Sequence, residues 1–441
     1  MQNSILCLDF GTSSIRAALT SKTGVVQVLP IGKTSMSALD DASIRSDVLV
    51  ETTGGLLLAE EAIRARSKDC TLYEASPKLW LNDPDSLSHS ISSNVHLSRE
   101  LIITLVLAHA LSNSCKAAKL NKKDLESLDV RVSHPIWEPE LAKKVIPKLD
   151  EMLRNAKKLC LLETVDSRVN QQVISKAIYL AQEENRAQIE IKSTVKEPIA
   201  AALTLAPEYE NTSRIFVMVD VGAGTTDIGV FLSVYPDSDS PRPKKLIPVR
   251  NTKSIFKAGN YVDSILLEMI KERAHEATER DLQELKRRIR QVKETLFLDG
   301  RIREPSRHSV TITADEFCSD RRVKKMASEL WSEILSYIKH PDALSSIVMY
   351  EKTKKLDKID LVVAGGGAQL PFISQTLTSK EIKLDSFKGY LTLCTTTPHR
   401  DSRLHDASLA RLAVAMGGAR QEYSSVKTGF NESYATMRGS L

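Results

Sequence analysis

Short apolar runs set off by turn residues alternate along the chain with longer stretches whose apolar positions recur every three or four residues. These are the two periods that separate half-buried strands from amphipathic helices. Residues 5–9, 15–19 and 25–29 predict a meander of three strands, ended by a polar stretch over 32–47. Helical spacing follows over 97–120; residues 130–133 read as a strand stopped by Pro135, 139–158 as a helix and 188–194 as a strand. Strands are predicted again at 214–220, 227–234, 310–313 and 359–364, and helices at 262–275, 280–298, 314–337 and 406–416. A Pro, Ser and Asp cluster at 236–243 marks a hairpin tip. From Gly417 onward no period survives, which predicts a frayed tail. The interleaving predicts an α/β fold with helices packed on mixed sheets.

Composition narrows the function classes. A chain of 441 residues exceeds the usual size of one hydrophobic core, so two or more domains are expected. With 42% apolar and 27% charged residues it belongs among ordinary globular proteins. The 61 basic and 56 acidic residues leave a net charge of +5, too balanced for a nucleic-acid binder without a clustered basic surface. The basic runs at 286–290, 321–325 and 352–358 lie on or beside helix-like segments with acidic neighbours such as Glu284 and Glu294, and read as solvated faces. Six dispersed cysteines without a CxxC pair predict reduced thiols and a cytoplasmic location. Residues 1–10 lack the basic head and apolar core of a secretory signal. The longest apolar run, 101–111, falls short of the ~20 residues that cross a bilayer and predicts a buried helix. His134, beside Pro135, reads as structural, and no His, Cys and carboxylate cluster has metal-ligand spacing.

The candidate chemistry lies in a repeat. Asp9-Phe10-Gly11-Thr12-Ser13-Ser14 and Asp220-Val221-Gly222-Ala223-Gly224-Thr225 each place an Asp at the end of an apolar strand, a Gly two residues later and a hydroxyl residue five residues later. Glycines let backbone N–H groups turn toward phosphate oxygens, and hydroxyls add donors. Phosphate would repel carboxylates unless a cation lay between them, so Asp9 and Asp220 are the expected holders of a hydrated Mg²⁺. One hairpin alone could be only a turn; the pair suggests two halves built alike.

These residues resemble the actin-like ATPase superfamily and, within it, the seventy-kilodalton heat-shock chaperones of the DnaK type. Besides the two hairpins, segments 195–202, 361–372 and 406–418 match the family's first connecting helix, adenosine segment and second connecting helix, in its order. The match spans 4 to about 419. Glu197-Pro198 followed by Ala200-Ala201-Ala202 is the feature that favours the chaperone branch. The resemblance implies a two-lobed fold of duplicated ribonuclease-H-like domains with ATP or ADP and Mg²⁺ in the cleft between them. Lobe one is expected over 1–205 with an inserted subdomain at about 36–126, and lobe two over 206–405 with one at about 258–308. A connecting helix at 406–420 and a tail at 421–441 complete the chain. Catalytic roles are implied for Lys78, Glu197, Asp220 and Thr225; nucleotide contacts for Gly11, Thr12, Ser13, Ser14, Gly222, Ala223, Gly224, Gly259, Lys293, Gly365, Gly366 and Gly367. The chain departs from the family pattern at Ala258, Arg290 and Phe297, which fall where the family has glycine, glutamate and serine.

The residues after Ala419 are too few for the roughly 100-residue peptide-binding sandwich of such chaperones. The leading expectation is therefore an ATPase switch acting on a separately encoded partner. The alternatives are an interaction protein that binds nucleotide with little turnover, and an actin-like filament. Small residues at Ala200, Ala201, Ala202, Ala413, Ala415, Gly417 and Gly418 predict two helices that cross closely and shift by shear. On this reading Ala201→Leu or Gly417→Leu would leave the protein folded and impair only its motion.

Overall fold

The computed structural model describes residues 4–32, 41–92, 95–182, 194–206, 214–234, 245–274, 277–304, 310–354, 358–377, 380–383, 390–395 and 406–420. The sequence readings at 236–243 and 421–441 lie outside these, as does most of that at 188–194. The chain divides into two compact units: residues 1–204 with 412–425, and residues 205–411 with 426–441.

The first unit is built on a mixed sheet. Its strands run Val26–Val28, Ser14–Thr20, Ile5–Phe10, Asp129–His134 and Thr194–Lys196 in spatial order, with Ser43–Arg45 also paired to Ser14–Thr20. The first three are antiparallel neighbours and the last two join in parallel. Ile5–Phe10 is buried at every position, as a central strand covered on both faces must be. Helix Arg99–Ala118 starts at Ser98, whose side chain accepts from Leu101 N, and packs on Pro139–Leu162. By length and composition it could cross a membrane, yet 78% of its apolar window is buried inside this unit. The apolar run at 101–111 is the heart of that helix, a core element here.

A separate antiparallel sheet orders Arg168–Val169, Leu56–Leu58, Val48–Glu51 and Cys70–Glu74. The sequence reading assigns no strand to these segments, because strands of two to five residues are too short to display a period. Helix Gln171–Gln182 also escaped the sequence reading, although Val173, Ile174, Ala177 and Leu180 are its buried stripe.

The second unit repeats the plan. Lys245–Pro248, Thr226–Val234, Arg214–Val221, Lys358–Ala364, Tyr390–Thr395 and Lys380–Lys383 follow one another across a sheet, with Lys253–Ile255 also paired to Thr226–Val234. Its first three strands are antiparallel and the next two parallel, the same order as in the first unit. The helix expected over 314–337 is two helices, Ala314–Ser319 and Arg321–Ile338. Asp320 sits between them in extended conformation, its carboxylate accepting from Arg322 N at 2.7 Å. An N-cap in mid-pattern restarts the helix without disturbing the apolar spacing.

Two further findings concern the helix Asp406–Ala419, which passes Gly417, where the apolar period stops, and ends within the 406–420 implied by the resemblance. Its end is held in the first unit: the Thr20 hydroxyl donates to Ala419 O, and Arg131 Nη1 donates to Gly418 O and Arg420 O at 3.0 Å each. Thr204 Oγ1 donates to Ala413 O at 2.7 Å from helix Glu197–Leu205. The helices do cross through small residues, but with no space to spare. A Cβ at Gly417 would run into the Ala200 carbonyl, 2.6 Å from its carbon and 2.9 Å from Thr204 Oγ1. Leucine at 417 therefore does not fit a folded first unit.

Candidate functional site

Each hairpin turn closes with the same hydrogen bond. Gly11 N donates to Ser14 O at 3.1 Å, and Gly222 N donates to Thr225 O at 2.9 Å. The flanking registers also coincide: Asp9 faces Arg16 and Phe10 faces Ile15 in one, Asp220 faces Asp227 and Val221 faces Thr226 in the other. A Cβ on Gly11 would lie 2.5 Å from Ser14 O, so this turn requires glycine.

In the first unit the turn is tied to the neighbouring strand segment. Ser46 Oγ donates to Gly11 O at 3.0 Å and Ser46 N to Ser13 O at 3.2 Å. Thr12 and Ser14 are buried, Gly11 and Ser13 half-buried. The Asp9 carboxylate is buried beneath the turn, with Oδ2 3.5 Å from Arg16 Nη1 and Oδ1 accepting from Ser133 Oγ at 3.0 Å. Burial raises its pKa; Arg16 opposes that rise, Glu197 adds to it, and Lys78 and the Ser133 hydrogen bond oppose it.

The chain brings Lys78 and Glu197 together beside Asp9. Lys78 lies in the 3₁₀ turn Pro77–Asn82, and Glu197 opens the helix Glu197–Leu205 directly after strand Thr194–Lys196. The Lys78 ammonium donates to Glu197 Oε1, and the residues are only 6% and 9% exposed, so Lys78 is no solvated surface lysine. Ser133 Oγ lies 3.2 Å from the same Glu197 oxygen. Asp9, Ser133, Glu197 and Lys78 thus form one connected row. His134, next to Ser133, stacks on Trp137 at 5.1 Å, and its Nδ1–H donates to Pro135 O at 2.7 Å. Burial pushes its pKa down to about 4, so the ring is neutral at physiological pH. Trp137 Nε1 donates to Asn82 Oδ1 at 3.0 Å and anchors the turn that carries Lys78.

In the second unit two glycine segments, at Gly259 and at Gly365 to Gly367, meet the Asp220 turn. Helix Gly259–Arg273 begins against it, with Gly259 N donating to Gly222 O at 3.1 Å and Asn260 N to Ala223 O at 2.7 Å. A Cβ on Gly259 would lie 3.1 Å from Ala223 Cα and 3.3 Å from Lys293 Nζ. Gly365 adopts φ +81° and presses on Asp220 and Val221; a Cβ there would lie 2.7 Å from Val221 C and run into Asp220 Oδ1. At Gly367 a Cβ would come within 2.8 Å of Val221 Cβ, whereas Gly366 faces open space. Asp220 is buried and Gly222, Ala223, Gly224 and Thr225 half-buried. The Thr225 hydroxyl donates to Asp227 Oδ2 at 3.2 Å, and the Ser254 hydroxyl donates to Asp227 Oδ1.

Lys293 is drawn inward. Its ammonium lies 2.9 Å from Asp263 Oδ1 and donates to Gly259 O at 3.0 Å. Of the departures from the family pattern, Ala258 is the buried N-cap of helix Gly259–Arg273, and Arg290 Nη2 reaches Asn260 Oδ1 at 3.5 Å. Phe297 packs edge-on against Phe317 at 5.8 Å and serves the core.

The sequence reading missed Ser133, Ser46 and Ser254. Ser133 was findable as the hydroxyl ending an apolar strand that would pair beside Asp9; the other two sit on strands or loops with no signal of their own. Cys7, Cys70, Cys115, Cys160 and Cys318 are free thiols. No protein-family model matches the chain, and comparison with curated proteins gives no match.

Proposed function

We propose that this chain is a two-lobed, actin-like ATPase of the heat-shock-chaperone type, which binds Mg-ATP through its two glycine turns and uses nucleotide state to control a separately encoded partner. The observation that carries the reading is the duplication: two hairpins of identical register, each closed by the same Gly N–H bond and preceded by a buried Asp, in sheets of the same strand order. Glycine turns of this kind suit phosphate oxygens. Asp9 and Asp220 offer oxygen donors of the hardness Mg²⁺ prefers and would hold it through its water shell. The ion, when bound, would screen the phosphate charge. In the first unit Lys78 and Glu197 are the groups fitted to stabilise charge and orient water during hydrolysis.

One observation favours the second reading, binding with little turnover. Lys293 is already engaged by Asp263 and Gly259 O, and Phe297 is committed to the core, so the adenosine contacts implied by resemblance are diverted.

The experiment is thermal unfolding with and without millimolar Mg-ATP or Mg-ADP. A ligand that binds only the folded state raises Tm by mass action. Asp9→Ala and Asp220→Ala should each lose the Mg-dependent part of the shift. Identical melting curves with and without nucleotide would remove the reading. Wild-type turnover no faster than that of Asp220→Ala would leave the binding protein in its place.

A further inference from the structure

We infer that Ser133 is a positioning residue that couples Asp9 to Glu197, so that the two carboxylates respond as one unit. The inference rests on the proposed ATPase reading for its consequence in turnover; its structural basis does not.

Ser133 is the last residue but one of the strand Asp129–His134, which lies in parallel between Ile5–Phe10 and Thr194–Lys196. Asp9 lies near the end of one neighbour and Glu197 directly follows the other, so a side chain near the end of the middle strand reaches both. Ser133 is fully buried, and its Oγ lies 3.0 Å from Asp9 Oδ1 and 3.2 Å from Glu197 Oε1. A hydroxyl carries a single hydrogen, while an ionised carboxylate only accepts. Both contacts are longer than the ~2.5–2.7 Å of a full O–H···O⁻ bond, as expected when one hydrogen is divided between two acceptors. Whichever carboxylate moves away, or finds another donor, leaves the hydrogen to the other. Glu197 has such a second donor in Lys78, and Asp9 has Arg16 nearby. A change at the first turn is thereby transmitted to the Lys78–Glu197 pair without any movement of the strands.

Two measurements test this. Without nucleotide, unfolding equilibria of Asp9→Asn, Glu197→Gln and their combination give a coupling between the carboxylates. That coupling should amount to about tenfold in the unfolding constant with Ser133 present and fall to within about twofold of unity when the set is repeated on Ser133→Ala. Equal coupling in both sets overturns the inference. With nucleotide, Ser133→Ala should lower kcat by at least about tenfold while KM stays within about threefold, and Ser133→Thr, which restores the hydroxyl, should recover most of the loss. A merely structural serine would leave kcat unchanged in the folded fraction or would not be rescued by threonine, and either result also overturns it. Should Ser133→Ala fail to fold, Ser133→Cys keeps the volume with a weaker donor and enters both measurements in its place. Should wild type turn over no ATP, the functional reading falls and the coupling measurement alone decides.

Discussion

Gly417 gives the most direct test of how the first unit is held together. Its missing Cβ would lie 2.6 Å from the Ala200 carbonyl carbon, against the ~3.5 Å that nonbonded carbons require. Alanine at 417 must therefore push two helix backbones apart by about 1 Å, and backbone cannot rotate out of the way. Overpacking of this kind costs about 1–3 kcal/mol. The displacement also strains the Thr204–Ala413 bond and the two Arg131 bonds to Gly418 O and Arg420 O, of which the charged pair alone is worth about 1.5–3 kcal/mol. The expected loss for Gly417→Ala is on the order of 4 kcal/mol, a large part of a typical domain's stability. Gly418 differs in kind, because its Cβ would meet the Cys7 Sγ and lie 3.0 Å from Val195 Cγ2, which are side-chain atoms. Cys7→Ala should accordingly rescue Gly418→Ala by about 1–2 kcal/mol and do nothing for Gly417→Ala. Urea unfolding followed by tryptophan fluorescence measures this. In a Trp331→Phe background the signal comes from Trp80 and Trp137, both in the first unit. A Gly417→Ala protein within 0.5 kcal/mol of wild type, roughly the effect of an ordinary surface change, would refute the close crossing. Equal rescue of both glycine variants by Cys7→Ala would refute the distinction between them.

The Lys78–Glu197 pair should behave as a buried ion pair: Lys78→Met or Glu197→Leu alone should cost about 3–5 kcal/mol and the double variant much less than their sum, as read in urea titrations; additive losses below 1 kcal/mol would place the pair in water. His134 makes a pH prediction. Its folded pKa of about 4 lies below the ordinary 6.5, so between those values the unfolded chain binds more protons, and the contribution to stability is complete above pH 6.5 and lost as pH falls toward 4. Between pH 7 and pH 5 wild type should lose about 2 kcal/mol more than His134→Gln, and parallel pH profiles would show that the ring is accessible to protons when folded.

What was legible in the sequence is what local chemistry specifies. The two glycine turns declare themselves through residue type and flanking apolar strands, and the strands at 5–9, 214–220 and 310–313 were placed within a residue or two of Ile5–Phe10, Arg214–Val221 and Val310–Thr313. Helix ends were poorer. Asp320 splits a stretch of continuous apolar spacing, and the helix through Gly417 and Gly418 continues although its glycines read as a stop, since tertiary packing against Ala200 and Cys7 outweighs their low propensity. The strands at Val48–Glu51, Leu56–Leu58 and Cys70–Glu74 are short, and their pairing with Arg168–Val169 is a contact across about a hundred residues that no window could contain.

The row from Asp9 to Lys78 shows why a site is harder to read than its parts. Asp9 and Glu197 each carried a motif, but Ser133 has none; it matters because parallel pairing seats strand Asp129–His134 between the strands that deliver the two carboxylates. A buried carboxylate is costly unless donors meet it, and the donors here come from three places in the chain: Arg16 across the hairpin, Ser133 on the next strand, and, for Glu197, Ser133 again with Lys78 from a 3₁₀ turn. That turn is in its place because Trp137 holds Asn82. Removing the indole hydrogen bond with Trp137→Phe should thus loosen Lys78 without touching it. The measurable consequence is a reduced Lys78–Glu197 coupling in the same urea double-variant cycle, by roughly the 0.5–1.5 kcal/mol that one hydrogen bond contributes. An unchanged coupling would mean that the turn is held by its own backbone and that the tryptophan only fills space.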